Sequence, residues 1–230
     1  MSSGLINFYE KMGDGFKHKF ELDKNYNKHL IEPTSNILII GQTGSGKTNA
    51  LMNFLQLKND SFVEIIIFTG STSDEPLYNY LKTNNPEIKI IDDVEELPEL
   101  QSFNDVDKTK ERLIVFDDVS GLGKKKEEVL KNFIKACRKY AFTAIFLYQS
   151  YTSAPKFIRD NCQIFFIFKQ SSTVSLRFIL KEKIQSGVSL DDLIAMYDYA
   201  TQKKGDFFCI DTKAEPQKMF RHNFKEVLEY

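Results

Sequence analysis

Eight consecutive residues, Gly41 to Thr48 (GQTGSGKT), constrain the fold of this 230-residue chain more than any other segment. They match the pattern G-x-x-x-x-G-K-[S/T] at every fixed position. An apolar run at residues 37–40 precedes them, and residues 48–58 show the apolar spacing of a helix. A buried strand, a glycine-rich turn and a helix in this order predict an α/β fold with a phosphate-binding loop.

The residue types in this loop explain its chemistry. Glycines let the backbone turn so that successive N–H groups point inward at phosphate oxygens. The side chain of Lys47 can reach the β- and γ-phosphates, and the hydroxyl of Thr48 can bind Mg²⁺. A glycine-rich turn without a ligand is the alternative. The predicted nucleotide-binding residues are Gly41, Gln42, Thr43, Gly44, Ser45, Gly46, Lys47, Thr48 and Asn49.

Further apolar runs predict the rest of the sheet. The predicted strands are 62–68, 88–91, 112–117, 143–148 and 163–168, with helices at 125–140 and near 155–161. The tail adds predicted helices near 173–185 and 189–199 and a hairpin-like pair at 206–211 and 217–222. We expect residues 1–32 to be an N-terminal arm and 33–230 to be one domain, with its motif core at 33–170.

A second motif, Arg112 to Asp118 (RLIVFDD), consists of an apolar predicted strand followed directly by two acidic residues. This is the Walker B pattern, which predicts that Asp117 binds the metal and that Asp118 activates the attacking water. The alternative is a pair of acids at an exposed strand end. Asp92 and Asp93 also end a predicted strand, and they are a rival metal site.

Two features refine the fold class. The strand at 62–68 lies in sequence between the two motifs, and an inserted strand of this kind is typical of ATPases with an added catalytic acid. The predicted fold is therefore a RecA/ASCE-type P-loop NTPase, with a mainly parallel central sheet flanked by helices. The strand at 143–148 ends at Gln149, whose amide could face the γ-phosphate and orient the water, or could simply be a surface group.

A basic stripe precedes that strand. Its residues are spaced by seven, four and three positions, and they are Lys124, Lys131, Lys135 and Arg138. Arg138 is the first candidate for an arginine finger supplied by a neighbouring subunit, because guanidinium stays charged and suits the developing phosphoryl charge. Arg159 is the second candidate. A solvated helix face is the alternative for the whole stripe.

Composition excludes several other classes of protein. The net charge of −1 argues against a globally basic nucleic-acid coat protein. Cys137, Cys162 and Cys209 show no C-x-x-C spacing, so we expect buried thiols rather than a disulfide framework or a zinc site. No apolar run approaches the ~18 residues of a membrane span, and the N-terminus lacks a signal-peptide core. We therefore expect a soluble intracellular protein.

The motifs together resemble a known family. The order GQTGSGKT, RLIVFDDV and CRKYAFTAIFLYQS resembles the FtsK–HerA superfamily of DNA-pumping ATPases. Within it, the VFDDV form and the stretch APKFIRDNC resemble the poxvirus-type genome-packaging ATPases of large DNA viruses and their virophages. The resemblance covers about residues 33–170.

The resemblance implies an oligomeric ring that hydrolyses ATP with Mg²⁺ and translocates double-stranded DNA into a viral capsid at a vertex. It implies a location in the host cell cytoplasm or the virion and no membrane partner. Lys47 and Thr48 would then bind nucleotide and metal, Asp117 and Asp118 would form the Walker B pair, Gln149 would be the sensor and Arg138 the finger. Asp118 stands where many cellular members have glutamate.

Three questions remain open from sequence alone. DNA contacts could come from Lys124–Lys126 in a predicted loop, GLGKKKEE, or from Lys203 and Lys204, although both clusters could be solvated surface. A P-loop small-molecule kinase is a second functional hypothesis, but an Arg-rich lid is hard to build from five well-spread arginines. A nucleotide-gated interaction protein without turnover is the third hypothesis.

Overall fold

The computed structural model describes residues 20, 22–58, 61–69, 76–107, 109–119, 123–183 and 187–229. Its strands are β1 (Asn36–Ile40), β2 (Phe62–Thr69), β3 (Lys89–Ile91), β4 (Glu111–Asp117), β5 (Phe142–Tyr148), β6 (Ile164–Phe168), β7 (Phe207–Asp211), β8 (Phe220–His222) and β9 (Glu226–Val227). Its α-helices are α1 (Tyr26–His29), α2 (Lys47–Leu57), α3 (Pro76–Asn84), α4 (Lys124–Ala136), α5 (Lys156–Asn161), α6 (Thr173–Lys183) and α7 (Leu190–Ala200). Short 3-10 helices lie at Val94–Glu96, Leu100–Phe103, Cys137–Tyr140 and Pro216–Lys218.

The described strands form one sheet in the order β3-β2-β4-β5-β1-β6-β7-β8-β9. Strands β1 to β6 pair in parallel, and β7, β8 and β9 add an antiparallel extension. The sheet order confirms the mainly parallel sheet that the sequence predicts. It also shows that β5, and not the strand at 62–68, separates the P-loop strand from the Walker B strand.

Helices cover both faces of the sheet because the strand residues alternate between two hydrophobic cores. On one face, Ile37 and Ile39 of β1 pack in a cluster with Leu51 and Phe54 of α2. On the other face, Leu38 and Ile40 belong to a cluster that includes residues of α4, α5, α6 and α7. The three cysteines are buried free thiols, as the sequence predicts.

The nearly continuous isoleucine run of β2 predicts burial on both faces of the strand. In the structure, the first half of β2 is more exposed than the second half. Val63 is 51% exposed, whereas the second half of the strand is buried. Strand β3 is only three residues long and pairs with Ile66–Phe68 alone. Among the described residues, the first half of β2 therefore has no partner strand on that side.

Most of the predicted N-terminal arm lies outside the described residues. Within its described part, α1 forms a single helical turn, and both His29 and Ile31 are fully buried against the domain. The division into an arm at 1–32 and a domain at 33–230 stays a prediction.

Helix α4 begins earlier and ends earlier than the sequence predicts. It starts at Lys124, so Lys124–Lys126 form its first turn and do not lie in a loop. It ends at Ala136, and the 3-10 helix Cys137–Tyr140 completes the predicted segment.

Candidate nucleotide-hydrolysis site

The parallel strands β1, β4, β5 and β6 end at the same side of the sheet, which we call the carboxyl edge. In open α/β sheets this edge is where ligands bind. The segments that follow the four strands carry the phosphate-binding loop, Asp117 and Asp118, Gln149 and residues 169–171. The topology therefore gathers the predicted site residues of three separate motifs.

The phosphate-binding loop has backbone geometry that requires glycine. Gly44 has φ +74° and Gly46 has φ +110°, values that side-chain-bearing residues rarely adopt. A Cβ atom on Gly41 would lie 2.7 Å from the Cβ of Phe168, so the loop also packs tightly onto β6. The loop leads into the first turn of α2, whose unpaired N–H groups and dipole favour an anion.

Lys47 is held over this loop by backbone oxygens. Its Nζ donates to the carbonyl of Gly41 at 2.7 Å and to the carbonyl of Gln42 at 3.2 Å. Burial lowers the pKa of Lys47, while Asp117 and Asp118 act against that shift. A half-buried cation in this position can bind a phosphate when phosphate oxygens replace the two carbonyl oxygens as its hydrogen-bond acceptors.

The two Walker B acids have different partners. Asp117 accepts a hydrogen bond from the hydroxyl of Tyr78, with 2.6 Å between Tyr78 Oη and Asp117 Oδ2. Asp118 lies in the left-handed region with φ +50°, and its Oδ2 accepts from Nε2 of Gln149 at 3.0 Å. The base and sensor candidates are therefore in direct contact, whereas Tyr78 is a partner that sequence reasoning missed.

Strand β5 aligns the motifs on either side of it. The backbone N–H of Gly41 donates to the carbonyl of Tyr148, and that of Asp118 donates to the carbonyl of Leu147, both at 3.1 Å. Gln149 directly follows these two residues. The start of the P-loop and the end of the Walker B strand are thus both hydrogen-bonded to the strand that carries the sensor.

The loop between α7 and β7 touches the phosphate-binding loop. A Cβ atom on Gly46 would lie 3.1 Å from the Cα of Gly205, which itself has φ +97°. Lys203 and Lys204 are exposed on the same loop. These lysines, which the sequence offers as DNA contacts, therefore lie beside the predicted nucleotide site.

The two candidates for the arginine finger differ in their position and in their contacts. Arg138 is exposed and precedes β5, so it lies at the opposite side of the sheet, roughly 20 Å from Lys47 along a seven-residue strand. Arg159 is engaged within the subunit, because its guanidinium lies 3.3 Å from Glu182 and 4.7 Å from the ring centroid of Tyr151. Arg138 therefore cannot reach the site of its own chain.

The rival acidic pair does not join the site. Asp92 and Asp93 follow β3, which is the edge strand and lies four strand spacings from β1, or roughly 19 Å. Asp93 also binds Lys126, with 2.8 Å between the charged atoms.

The donor set at the carboxyl edge fits Mg²⁺ bound together with a nucleotide. Among the described residues, no cluster of three or more acidic, histidine or cysteine side chains could hold a metal alone. Mg²⁺ commonly takes one or two protein oxygens plus substrate phosphates, and Thr48 and Asp117 offer such oxygens. The Oγ of Ser45 is buried in the loop without a hydrogen-bond partner among the residues described.

Comparison with known proteins decides the family. A family model described as "Poxvirus A32 protein" matches residues 22–214, which is most of the chain. The chain belongs to this family. It is a viral DNA-packaging ATPase, which confirms the function that the resemblance implies.

Solved structures of viral packaging ATPases share the fold. The genome packaging NTPase B204 from Sulfolobus turreted icosahedral virus 2, in complex with AMP, is 16% identical and has a TM-score of 0.56. B204 described as the DNA-packaging ATPase from Sulfolobus turreted icosahedral virus is 15% identical, also with a TM-score of 0.56. Each alignment covers 80% of this chain and 95% of the other. No curated protein sequence matches this chain.

Over the described ranges, none of the helices has the length and apolar character needed to cross a bilayer.

Proposed function

We propose that this packaging ATPase hydrolyses Mg²⁺–ATP at the carboxyl edge and works as a homo-oligomeric ring that moves double-stranded DNA through a capsid vertex. We place this activity in the host cell cytoplasm and in the virion. The observation that carries the proposal is the arrangement of Lys47, Asp117, Asp118 and Gln149 at the ends of three adjacent strands. The division into an arm at 1–32 and a single ATPase domain at 33–230 is part of the proposal.

The choice of ATP has support from a structural relative. Structures of B204 are described as complexes with AMP, AMPPCP and ATP-γS. The glycine geometry and the half-buried Lys47 of this chain are suited to the phosphates of such a nucleotide.

In the proposed mechanism, N–H groups of the loop and Lys47 bind the β- and γ-phosphates. Thr48 and Asp117 would hold Mg²⁺, which when bound neutralises charge on the phosphate oxygens. Asp118 accepts a proton from the water that attacks the γ-phosphorus, and ADP leaves with the electrons of the broken P–O bond. Nε2 of Gln149 donates to Asp118, and its Oε1 would accept a hydrogen bond from that water and orient it.

Arg138 completes the site of a neighbouring subunit in this proposal. Its distance from Lys47 in the same chain rules out a contribution in cis, and its exposure leaves it accessible to another copy. A positive guanidinium beside the γ-phosphate would stabilise the transition state, an effect worth 10³–10⁵ in rate in other P-loop enzymes.

The central experiment measures ATP hydrolysis and mass in solution together, with and without double-stranded DNA. We expect DNA-stimulated turnover by an oligomer. We expect Asp118→Asn to reduce turnover by about 100-fold or more, as loss of a general base does. Unchanged hydrolysis in Asp118→Asn would exclude Asp118 as the base, and phosphate transfer to a nucleoside without a response to DNA would exclude the motor.

A subunit-mixing experiment tests the finger. Lys47→Ala subunits lack the phosphate-binding lysine, and Arg138→Ala subunits lack the finger. Mixed rings should recover activity that neither variant has alone, because some sites combine an intact loop with an intact Arg138. Lys139→Ala, which removes an exposed positive charge next to Arg138, serves as the control and should keep full activity. Absence of recovery in rings shown to be mixed would exclude Arg138 as the trans finger.

A further inference from the structure

The proposed metal ligand Asp117 is hydrogen-bonded to a residue 39 positions away in the sequence. Tyr78 lies on α3, in the connection between β2 and β3, and donates from its hydroxyl to Oδ2 of Asp117 at 2.6 Å. The acceptor is a carboxylate at the end of β4, so this is a short, charge-assisted hydrogen bond.

The ring of Tyr78 is fixed by the hydrophobic core. Tyr78 is 1% exposed, and it belongs to the same buried cluster as Leu113 and Val115 of β4. A buried tyrosine needs a partner for its hydroxyl, and a packed ring with two side-chain torsions presents that hydroxyl at one place. Core packing therefore sets the position of the donor that meets Asp117.

We infer that Tyr78 is a positioning residue for the metal-binding carboxylate. By holding Oδ2, it fixes the rotation of the Asp117 carboxyl group before the nucleotide arrives. Hydrogen bonds of this kind to metal ligands typically account for 10–100-fold in metal affinity or activity. The inference rests on the proposed role of Asp117 in binding Mg²⁺.

The test compares Tyr78→Phe with the full-length wild type, using Mn²⁺ as a paramagnetic probe. Tyr78→Phe removes the hydroxyl and keeps the ring. In the presence of β,γ-methylene ATP, we expect Mn²⁺ affinity measured by electron paramagnetic resonance to fall about 10-fold or more. Affinity for the nucleotide in EDTA should stay unchanged, because the phosphate-binding loop is intact.

Tyr80→Phe is the matched control, because Tyr80 is on the same helix and is 62% exposed. It should leave the Mn²⁺ affinity unchanged. Equal Mn²⁺ affinity in Tyr78→Phe and the wild type would overturn the positioning role while leaving the proposed function intact. A wild type that binds nucleotide no more tightly with Mn²⁺ than without it would contradict the proposed metal site itself.

A second variant covers the case in which Tyr78→Phe does not fold. Tyr78→4-aminophenylalanine keeps an N–H donor to Asp117, but that donor is weaker than the phenol. We expect Mn²⁺ affinity a few-fold below the wild type and the same change at position 80 to have no effect. A fall as large as the 10-fold one expected on removal of the hydroxyl would overturn the inference, because this variant keeps a donor to Asp117.

Discussion

Lys47 and Lys58 lie at the two ends of α2, and their side chains have contrasting surroundings. Lys47 begins α2 at the carboxyl edge, is half-buried and donates to backbone carbonyls. Lys58 directly follows α2 at the other side of the sheet, which we call the amino edge, and its side chain is fully buried against Glu111. Strand β4 repeats the contrast, since it begins at buried Glu111 and ends at half-buried Asp117.

The amino edge is closed by a buried network. Nζ of Lys58 lies 2.5 Å from Oε2 of Glu111, while Oε1 of Glu111 accepts from the backbone N–H of Thr34 at 3.0 Å and from the hydroxyl of Thr143. Nζ of Lys58 also lies 3.9 Å from a carboxylate oxygen of Asp23. These groups satisfy one another within the chain, so removing one of them leaves a buried charge or donor without its partner.

The contrast shows that the two edges of one sheet have different roles. Charges at the amino edge are neutralised internally and hold α2 and β4 together. At the candidate site, Lys47, Asp117 and Asp118 contact neutral donors and acceptors such as the Gly41 carbonyl, Tyr78 and Gln149, which the charges of a ligand can replace. Substitutions at the amino edge should therefore lower stability, and substitutions at the candidate site should lower activity.

The largest effect on stability should come from Glu111→Ala. Removing this carboxylate leaves the buried Lys58 without its nearest anion. Breaking such a buried ion pair costs about 3–5 kcal/mol. Chemical denaturation measures the loss in the free energy of unfolding. Glu128→Ala, which removes a 60%-exposed acid from α4, is the control and should change stability by less than about 0.5 kcal/mol. Similar values for both variants would contradict a stabilising network.

Lys47→Ala should have the complementary effect. We expect DNA-stimulated ATP hydrolysis to fall by about 100-fold or more, because the γ-phosphate loses its nearest cation, while the free energy of unfolding changes by less than about 1 kcal/mol. Turnover assays and denaturation on the same preparation measure both quantities. A loss of stability as large as that of Glu111→Ala would remove the distinction between the two edges.

A smaller, pH-dependent effect is expected from His29 at the amino edge. Burial lowers the pKa of His29, and the nearby Asp23 offsets this only in part, while Lys58 and Arg221 add to the lowering. Its Nδ1 accepts from the backbone N–H of Ile31 at 3.0 Å, so the proton of the neutral ring sits on Nε2 facing Asp23.

The sign of the pH effect follows from this shift. The unfolded chain binds a proton at His29 more readily than the folded chain does, so stability is full above pH 6.5 and falls as the pH drops below it. Denaturation between pH 5 and 7.5 should show a shallower slope in His29→Gln, which cannot titrate. Parallel slopes in the two proteins would exclude His29 as the source.

The smallest predicted effect concerns the loop beside the P-loop. Changing Lys203 and Lys204 together to Gln should weaken ATP binding about threefold at low salt, because two exposed cations near the phosphates are removed. The difference should shrink in high salt. Changing Lys124 and Lys125 to Gln is the matched control. If the first pair instead lowers DNA affinity and leaves ATP binding unaltered, these lysines contact DNA.

Much of the fold is predictable from local sequence. The six parallel strands are short apolar runs, and their predicted limits differ from the observed ones by one residue at most, whereas β8 begins three residues later than predicted. The loop at 41–48 and the acids after β4 could be found because their chemistry requires fixed neighbours in the chain. The position of Gln149 could be predicted because it ends a strand adjacent to the Walker B strand.

The missed contacts depend on sheet order and long-range packing. The contact between Tyr78 and Asp117 spans 39 residues, and no local pattern marks it. Glu111 counts in the sequence as the last acid of a polar segment, although it is the first residue of β4. A signal for Lys58 did exist, since it follows the buried Phe54 by four positions and so lies on the core face of the helix.

The position of β5 between β1 and β4 limits where the chain can gain or lose residues. The backbone of β5 pairs with β1 and β4 at once, so one residue added or removed within 142–148 would shift Gln149 by about 3.3 Å and turn its side chain to the other face. The segment at 92–107 connects β3 to β4 and lies outside the paired strands, so a change in its length need not shift either strand. Insertions and deletions that preserve the motor should therefore collect in the latter segment and spare the former.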